Sequence, residues 1–309
     1  MIELSILLIT FNNEKYIEET LLSIIKQKVD FNYEIVVGED CSTDNTLKIL
    51  NQFDNKFPNL FKIKKNESQL GILRNFKATL DRCEGQYIFN LAGDDLLNND
   101  YAFQKMVRTL KSNKNLGFVD TGFDKIYKED SRLNHFSNRK IIEAPQEYYK
   151  KQLLLGRLTP IGVCFNKKHL YEFVDFDTYL NMNITIDDYP ILVDLVMNTS
   201  FTTINESLHI YRVHNQSYSH TKSFENHYFL KNQMKNLFGY FASKYKYDKN
   251  LINTFNNNYY KELLFLCGYF EEKEIGKETY NMINSKSIKD HIHYFASQNS
   301  LFRKLVSII

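Results

Sequence analysis

Two adjacent carboxylates, Asp94 and Asp95, follow a short and mostly apolar run at Tyr87 to Leu91. Such a run is typical of a buried parallel strand, and open α/β sheets bind ligands beyond the carboxyl ends of their strands. Neighbouring carboxylates repel each other, so a fold places them in water, against basic groups or on a cation. Their oxygens suit Mg²⁺ or Mn²⁺ and leave coordination positions for substrate phosphates. The alternative is a helix cap or a solvated loop, because turns are rich in Asp.

A second acidic pair, Glu39-Asp40, comes after another predicted strand at Tyr33 to Val37. The chain opens with a further strand, Leu4 to Ile9. Strands alternate with helices over the first third of the chain, which predicts a parallel sheet covered on both faces. Because parallel strands end at one edge, the two acidic pairs are expected to share one crevice.

Helical spacing of apolar residues predicts a helix from Asn13 to Gln27 that Asn13 caps, and a second helix capped by Ser42 or Thr43. From Gly117 onward the pattern changes to short strands mixed with helices. These strands are predicted at Gly117 to Thr121, Gly162 to Phe165, Phe201 to Ile204 and Leu208 to Val213. A polar segment, Lys128 to Lys140, is predicted to be a mobile or partner-facing loop.

The composition describes an ordinary globular protein of 309 residues, with 43% hydrophobic and 25% charged residues. A formal charge of +2 gives no reason to expect nucleic-acid binding. Four widely spaced cysteines indicate reduced thiols and a cytoplasmic protein. No signal peptide is recognisable and no apolar run is long enough to cross a bilayer, so we expect no integral membrane segment.

The last stretch, residues 221–309, differs from the rest and is predicted to be a helical extension. It holds 18 of the 45 Phe and Tyr residues, and thirteen Lys and Arg against eight Asp and Glu. Two interpretations stay open. The extension packs on the first domain or on a second subunit, or it presents a basic, aromatic surface to the inner leaflet of a membrane.

Several motifs in order resemble those of family 2 of the inverting, nucleotide-sugar-dependent glycosyltransferases with the GT-A fold, of the bacterial surface-polysaccharide type. The motifs are Thr10-Phe11-Asn12, Glu39-Asp40-Cys41-Ser42-Thr43-Asp44, Gly71-Ile72-Leu73-Arg74-Asn75, Gly85-Gln86-Tyr87-Ile88-Phe89, Gly93-Asp94-Asp95, Asp187-Asp188-Tyr189-Pro190 and Tyr211-Arg212-Val213-His214. The resemblance covers about residues 2 to 220. It implies a Rossmann-like mixed sheet flanked by helices, with a nucleotide-binding half at residues 1–115 and an acceptor half at 116–220.

The resemblance also implies roles for the matching residues. Thr10, Phe11, Asn12, Glu39 and Asp40 would hold the base and ribose of a nucleotide-sugar donor, a UDP-sugar first. Arg74 would lie near the base, and Asp94 and Asp95 would meet the ribose and a Mn²⁺ or Mg²⁺ ion. His214 would contact the diphosphate or the metal. Asp188 would be the general base, with Asp187 as second choice.

Two departures from the family pattern stand out. The family commonly has Asp where this chain has Glu39, which changes the reach toward the base. The usual Asp-x-Asp-Asp pattern has Ala92 in its first position, so the metal site relies on fewer ligands.

Inverting sugar transfer needs a cation or its equivalent for the leaving diphosphate and a base on the opposite face of the sugar. Asp188 fits the role of the general base. It also fits the start of a helix, because Tyr189-Pro190 follows it, and both roles can hold together. His214 could be a histidine that only completes hydrogen bonds at a strand end, or it could bind the diphosphate or the metal. Arg74 could be a cation on a helix surface, or it could contact the nucleotide.

The resemblance therefore implies a metal-dependent, inverting glycosyltransferase that acts on a glycan or lipid-linked acceptor in capsule or other surface polysaccharide synthesis. A cytoplasmic location follows, with peripheral membrane contact or homo-oligomer formation through residues 221–309. The alternative is a non-catalytic nucleotide-sugar-binding or assembly subunit of the same fold. A sugar nucleotidyltransferase is disfavoured, because no glycine-rich phosphate loop follows the first strand.

Overall fold

The computed structural model describes residues 1–127, 132–158, 160–214 and 223–299. The chain divides into two compact units, Met1–His214 and Asn215–Ile309. The predicted boundary between residues 220 and 221, and residues 128–131 of the predicted polar loop, lie outside the described residues. The division into a donor half and an acceptor half stays a prediction.

The first unit begins with four repeats of strand and helix. Their bounds are β1 (Leu4–Thr10), α1 (Ile17–Ile25), β2 (Tyr33–Glu39), α2 (Thr46–Lys56), β3 (Phe61–Lys65), α3 (Ile72–Leu80), β4 (Tyr87–Ala92), the short β5 (Leu96–Leu97) and α4 (Ala102–Ser112). Apolar residues at helical spacing bury one face of each helix, as Ile17, Leu21 and Ile24 do in α1. β1 and β2 are buried along nearly their whole length because helices flank the sheet, whereas β3 is exposed at its end.

The rest of the first unit mixes strands with short helices. It comprises β6 (Leu116–Tyr127), β7 (Arg132–Asn134), α5 (Arg139–Ile142), α6 (Gln146–Leu154), β8 (Cys164–Asn166), α7 (Lys167–Phe173), α8 (Phe176–Asn181), α9 (Asp188–Asn198) and β9 (Ser200–Val213). The predicted loop at Lys128 to Lys140 is wrong for its described part, which contains β7 and α5. β7 forms because it pairs antiparallel with the end of β6.

The described residues of the first unit form one mixed sheet of nine strands, in the order β3-β2-β1-β4-β8-β6-β9-β5 with β7 beside β6. β1 to β4 are parallel to their neighbours in this group, which confirms the parallel arrangement predicted for the first third. β8 then runs antiparallel to both β4 and β6. The hydrophobic core lies on β1, β2 and β4, where Phe89 of β4 meets Phe103 of α4 edge to face at 5.0 Å between ring centroids.

Two local predictions are wrong. The separate strands expected at Phe201 to Ile204 and Leu208 to Val213 are one strand, β9, because its pairing with β6 continues through a bulge. α1 begins at Ile17 rather than at Asn13, whose side-chain oxygen instead accepts from Thr10 Oγ1 at 2.8 Å and binds the loop after β1.

The cap predicted for the second helix is also wrong. α2 begins at Thr46, and the carboxylate of Asp44 accepts from the Thr46 backbone N–H at 2.9 Å. Neither Ser42 nor Thr43 serves as the cap, because the loop runs on to residue 45 before the helix starts. The side chain of Ser42 is used elsewhere, in a contact with the loop after β1.

The second unit is helical in its described part, residues 223–299. Its helices are α10 (Phe224–Lys244), α11 (Lys249–Phe270), α12 (Lys273–Met282) and α13 (Ile288–Gln298). α11 packs against α10, α12 and α13. Phe238 of α10 and Phe255 of α11 stack at 3.7 Å between ring centroids. No helix in the described residues combines the length and the apolar character that crossing a bilayer requires.

Candidate active site

The carboxyl ends of three parallel strands lie side by side at one edge of the sheet. Thr10, the last residue of β1, lies opposite Glu39, the last residue of β2. On its other side β1 pairs with β4, so that Ile9 lies opposite Ala92. Asp94 follows Ala92 by two residues. The topology therefore brings the first acidic pair and the second acidic pair to the same edge.

The loops that follow β1 and β2 are tied together. The backbone N–H of Asn12 donates to Ser42 Oγ at 2.9 Å, and the backbone N–H of Thr43 donates to Asn12 Oδ1 at 2.8 Å. Asn12 and Cys41 adopt left-handed backbone angles, with φ of 52° and 63°. Asn tolerates this conformation because its short amide makes such local hydrogen bonds. The connected loops leave the ring of Phe11 exposed at the sheet edge.

Glu39 is fully buried, and only one of its carboxylate oxygens has a protein partner in the described part of the chain. Its Oε1 accepts from the Ser42 backbone N–H at 2.6 Å. Its Oε2 is buried without a hydrogen-bond donor among the described residues. Buried acceptors are nearly always satisfied, since an unmade hydrogen bond is costly. The orphaned oxygen is therefore a place where a bound molecule could donate an N–H.

Asp40 is also buried, but its carboxylate is fully engaged. Its Oδ1 accepts from Asn66 Nδ2 and from the Leu70 backbone N–H, both at 2.8 Å. Its Oδ2 accepts from the Gly71 backbone N–H at 2.9 Å. Asp40 thus fixes the segment that leads into α3. Its predicted contact with the nucleotide stays a prediction.

Arg74 joins two segments of the first unit. Its Nη2 donates to the carbonyl oxygen of Leu180 at 2.9 Å and to Asn183 Oδ1 at 3.1 Å. The residue is largely exposed, so the guanidinium holds the turn after α8 while keeping donors in water. Because of these two contacts, Arg74 is not the free cation on a helix surface that the sequence also allowed.

Asp94 faces His214, which follows β9. His214 Nε2 lies 2.9 Å from Asp94 Oδ2, with 20% of the Asp94 side chain and 6% of the His214 side chain exposed. Tyr16, just before α1, stacks on the His214 ring at 4.5 Å between centroids. The structure therefore brings together two of the predicted site residues from segments 120 residues apart.

Asp95 points into the protein instead. It is 5% exposed, and its Oδ1 accepts from the Arg212 backbone N–H at 3.0 Å. Burial, and then the neighbouring charge of Asp94, raise the pKa of Asp95 well above its usual value. Of the two carboxylates predicted for the metal, Asp94 is the more accessible and Asp95 is the one held by β9.

The predicted catalytic carboxylates, Asp187 and Asp188, are tied to β4 as well. Asn90 of β4 donates from Nδ2 to Asp187 Oδ2 at 3.2 Å. Asp188 is the first residue of α9, and its Oδ1 accepts from the Tyr189 backbone N–H at 2.7 Å. Asp188 therefore stands at a helix start, as predicted.

Both carboxyl groups of this pair titrate above the ordinary range. Burial, and then the charge of Asp187, raise the pKa of Asp188 to about 7. Burial also raises the pKa of Asp187. Carboxyl groups perturbed by burial and by a charged neighbour are frequent among catalytic acids and bases.

A divalent cation fits the Asp94–His214 pair by the chemistry of its donors. A carboxylate oxygen and an imidazole nitrogen both ligate Mn²⁺, and Mg²⁺ sites use one or two carboxylates together with substrate phosphates. The described residues contain no group of three or more His, Cys, Asp or Glu side chains that could hold a metal by themselves. A cation here would draw its remaining ligands from a diphosphate and water.

Sequence reasoning missed several residues around this site. Asn90 gave a usable signal, since it is a polar residue inside an otherwise apolar strand. Tyr16 and Glu19 gave none, because they look like ordinary residues at the start of a helix. Arg212 appeared only as part of the closing-strand motif, whereas the structure buries its side chain beneath Asp94 and Asp95.

Comparison with known proteins identifies the family. The model of the family described as "Glycosyl transferase family 2" matches residues 5–179, more than half of the chain. The chain belongs to glycosyl transferase family 2. The match ends before Asp187 and Asp188, so those positions rest on the local motif and the geometry described above.

Two relatives of this family 2 chain have names that refer to poly(ribitol-phosphate) and to teichoic acid. The poly(ribitol-phosphate) beta-N-acetylglucosaminyltransferase TarS of Staphylococcus aureus is 36% identical over 104 residues, which are 32% of this chain and 18% of TarS. The minor teichoic acid biosynthesis protein GgaB of Bacillus subtilis is 26% identical over 274 residues, 85% of this chain and 28% of GgaB. The chain spans less than a third of either relative's length.

Solved structures share the fold of this family 2 chain. TarS residues 1–349 in complex with UDP-GlcNAc match with a TM-score of 0.54 at 16% identity, covering 99% of this chain and 91% of that one. The mannosyltransferase PcManGT of Pyrobaculum calidifontis, in complex with GDP-Man and Mn²⁺, matches with a TM-score of 0.60 at 13% identity, covering 99% and 83%. The predicted GT-A fold is confirmed.

Proposed function

We propose that this family 2 chain is an inverting glycosyltransferase that uses a nucleoside-diphosphate sugar and a divalent cation. The observation that carries the proposal is the arrangement along β4. The strand ends beside Asp94, which faces His214, and its Asn90 holds Asp187 next to Asp188. The strand β4 thus positions two pairs of side chains. Asp94 and His214 are of the kinds that bind a metal, and Asp187 and Asp188 are carboxyl groups with raised pKa values.

The donor's nucleoside is proposed to bind where β1 and β2 end. Glu39 Oε2 offers a buried, unmatched acceptor, and the imide N–H of a uracil base is the donor that suits it. Phe11 offers an exposed ring on which a base can stack. Thr10, Asn12 and Arg74 complete the proposed contacts, with Asp40 holding the segment before α3. A UDP-sugar is the first choice, in line with the UDP-GlcNAc complex of TarS.

The diphosphate is proposed to lie at Asp94 and His214, which would hold Mn²⁺ or Mg²⁺. When bound, such an ion supplies a Lewis acid that stabilises the negative charge of the departing diphosphate. Asp94 and His214 are already 2.9 Å apart, so little rearrangement is needed to present both donors. Asp95 supports the site from the interior through Arg212.

Asp188 is proposed as the general base. Its carboxylate would take the proton of the acceptor hydroxyl while that oxygen forms a bond to the anomeric carbon. The bond from that carbon to the diphosphate oxygen breaks at the same time, with its electron pair leaving on the diphosphate, and the configuration inverts. A base with a pKa of about 7 suits this task near neutral pH. Burial, and then the charge of Asp187, which Asn90 holds, keep the pKa of Asp188 raised.

The acceptor is proposed to be a glycan or a lipid-linked intermediate in bacterial surface polysaccharide synthesis, on the cytoplasmic side of the membrane. The names of TarS and GgaB support this setting. In the second unit, Phe229, Phe265, Tyr269 and Phe295 are exposed. We propose that this unit contacts either the membrane surface or a second copy of the chain, which liposome sedimentation and sizing of the full chain would distinguish.

The proposal is tested by screening UDP-, GDP- and dTDP-sugars with Mn²⁺, Mg²⁺ or EDTA and measuring release of the nucleoside diphosphate. We expect slow hydrolysis of at least one donor that EDTA abolishes and that Asp94→Asn reduces strongly. A protein whose melting temperature rises with nucleotide and metal, yet which releases no diphosphate from any donor with or without an acceptor extract, would be a binding subunit instead.

A further inference from the structure

Arg212 is a large and almost completely buried cation near the end of β9, with 1% of the residue exposed. Burying a guanidinium is expensive unless carboxylates and carbonyl oxygens take its charge and its N–H groups. The partners of Arg212 therefore reveal what the fold gains by placing it here. They come from α1, from the residue just before it and from the turn after β4.

The contacts of Arg212 converge on the segment that carries the acidic pair. Its Nη1 donates to the backbone carbonyl of Asp94 at 3.1 Å, and its backbone N–H donates to Asp95 Oδ1 at 3.0 Å. Its Nη2 forms an ion pair with Glu19 of α1. The Arg212 side chain thus ties the peptide unit of Asp94 to a helix, and the Arg212 backbone holds the carboxylate of Asp95.

Arg212 also reaches His214 through an aromatic ring. The guanidinium carbon of Arg212 lies 5.4 Å from the ring centroid of Tyr16, and Nη1 is 3.5 Å from the Tyr16 carbonyl oxygen. The ring of Tyr16 in turn stacks on His214 at 4.5 Å and an interplanar angle of 26°. Both members of the Asp94–His214 pair are therefore held in place from Arg212.

We propose that Arg212 is a positioning residue that presets the Asp94–His214 pair for the cation and the diphosphate. This inference rests on the proposed function of that pair. Arg212 holds the carbonyl of Asp94 and the ring that supports His214, so the two donors face each other before any ligand arrives. A preset pair binds a cation more tightly, because no ordering cost remains to be met on binding.

The planar fork of the guanidinium is essential to this arrangement. Its two terminal nitrogens donate in divergent directions, one toward Asp94 and one toward Glu19. A lysine ammonium is a point charge on a flexible stem and cannot reproduce two fixed directions. Arg212→Lys keeps the charge and removes the fork, which separates positioning from simple charge balance.

Arg82 provides a matched control elsewhere in the same unit. It is also partly buried, and it donates to the backbone carbonyls of Val37 at 2.7 Å and Lys62 at 3.0 Å. It makes the same kind of arginine-to-carbonyl bonds as Arg212 but serves β2 and β3. Arg82→Lys should therefore reproduce the loss of a buried fork without touching Asp94 or His214.

The experiment measures binding in two steps on the full chain. The first is the affinity for whichever of UDP, GDP and dTDP the parent binds most tightly, in EDTA. The second is the Mn²⁺ affinity of the protein with that nucleotide, from the paramagnetic resonance signal of free Mn²⁺. For Arg212→Lys we expect about tenfold weaker Mn²⁺ binding and an unchanged metal-free nucleotide affinity, and for Arg82→Lys we expect parent values in both steps.

Mn²⁺ affinity at the parent level in Arg212→Lys, or an equal loss in Arg82→Lys, would overturn the inference. If Arg212→Lys does not fold, Tyr16→Leu decides, since it removes the ring between Arg212 and His214 and keeps the Tyr16 carbonyl that Arg212 contacts. Weaker Mn²⁺ binding in Tyr16→Leu supports the inference, and parent affinity overturns it. A parent protein that binds no nucleotide with Mn²⁺ refutes the proposed function itself, which is a distinct result.

Discussion

Glu39 uses one carboxylate oxygen for the protein and leaves the other without a donor. Oε1 holds the Ser42 backbone N–H, whereas Oε2 is buried and unmatched among the described residues. The longer side chain, where the family commonly has Asp, reaches the loop and still places an acceptor at the sheet edge. A base with an imide N–H would satisfy that oxygen.

Replacing Glu39 by Gln tests this role. In Glu39→Gln the amide oxygen can keep the Ser42 contact, so the NH₂ group takes the place of Oε2 and meets the base as donor against donor. We expect about tenfold or greater loss of nucleotide affinity with little change in the free energy of unfolding. Calorimetric titration with UDP, beside a denaturation curve, measures both. Parent affinity for UDP in Glu39→Gln would contradict the assignment.

Asp94 and Asp95 show how neighbours in sequence acquire different tasks. Asp94 faces His214 and keeps some exposure, whereas Asp95 is enclosed and accepts from the Arg212 backbone. Two adjacent carboxylates repel each other, and the fold separates them by turning Asp95 into the protein interior. The distinction could not be read from the Asp-Asp pair itself.

At the scale of elements, the packing of α3 on β2 fixes where the strand end and Glu39 lie. A Cβ atom added to Gly38 would stand 2.1 Å from Thr79 Oγ1 and 2.4 Å from Asn75 Oδ1 of α3. Asn75 Nδ2 also donates to the Gly38 carbonyl at 2.9 Å. Only glycine allows the helix to come this close to the strand.

Gly38→Ala should therefore lower the free energy of unfolding by about 1–3 kcal/mol, because α3 and β2 must move apart. Nucleotide affinity should fall as well, since Glu39 follows directly. Gly239→Ala is the control, because a Cβ there meets no atom within 4 Å, and we expect a slight gain in stability. Urea denaturation of both variants gives the comparison. A Gly38→Ala protein as stable as the parent would show that the contact is easily relieved.

The elements of the first third were predictable because their apolar periods are clear and their strands alternate with helices. The later strands were not, since β9 passes through a bulge at a polar segment that looks like a loop in the sequence. For the site, residue types at a strand end predicted Asp94, and the family resemblance supplied Asp188 and His214. Neither could predict the roles of Tyr16 and Arg212, because such support depends on which segments the fold brings together across nearly two hundred residues.

At the scale of the molecule, each of the two units buries a neutral histidine. Burial lowers the pKa of His209 in β9 to about 3, and burial, then the charge of Lys289, lower the pKa of His293 in α13. Both nitrogens of His293 and Nε2 of His209 lack donors or acceptors among the described residues. A proton added to either ring would place a charge in the protein interior.

The two buried histidines should therefore weaken the fold in acid. The unfolded chain protonates histidine near pH 6.5, above the folded values, so their contribution to stability is complete above about pH 6.5 and falls as the pH decreases through it. Carboxyl groups whose pKa burial raises, such as Asp120, act in the opposite sense over the same range, so the test compares a histidine variant with the parent. We expect the stability of His209→Gln, relative to that of the parent, to rise as the pH falls from about 6.5 to about 4. His227→Gln, at a partly exposed position, should leave the dependence as in the parent. An unchanged slope in His209→Gln would contradict the expectation.

The most direct measurement of the central claim compares two carboxyl groups with the same raised pKa. Asp188 and Asp120 both have a pKa of about 7, but Asp120 is buried in β6 and accepts from the Tyr149 hydroxyl at 2.7 Å. With the donor found in the screen and an acceptor, the parent's transfer rate should rise as the pH increases through about 7, where the base ionises.

Asp188→Asn should then lose about 10²–10⁴-fold in transfer rate with its nucleotide affinity retained, while Asp120→Asn transfers sugar like the parent. That result would identify Asp188 as the base. Transfer by Asp188→Asn at the parent rate, with the same dependence on pH, would contradict the account.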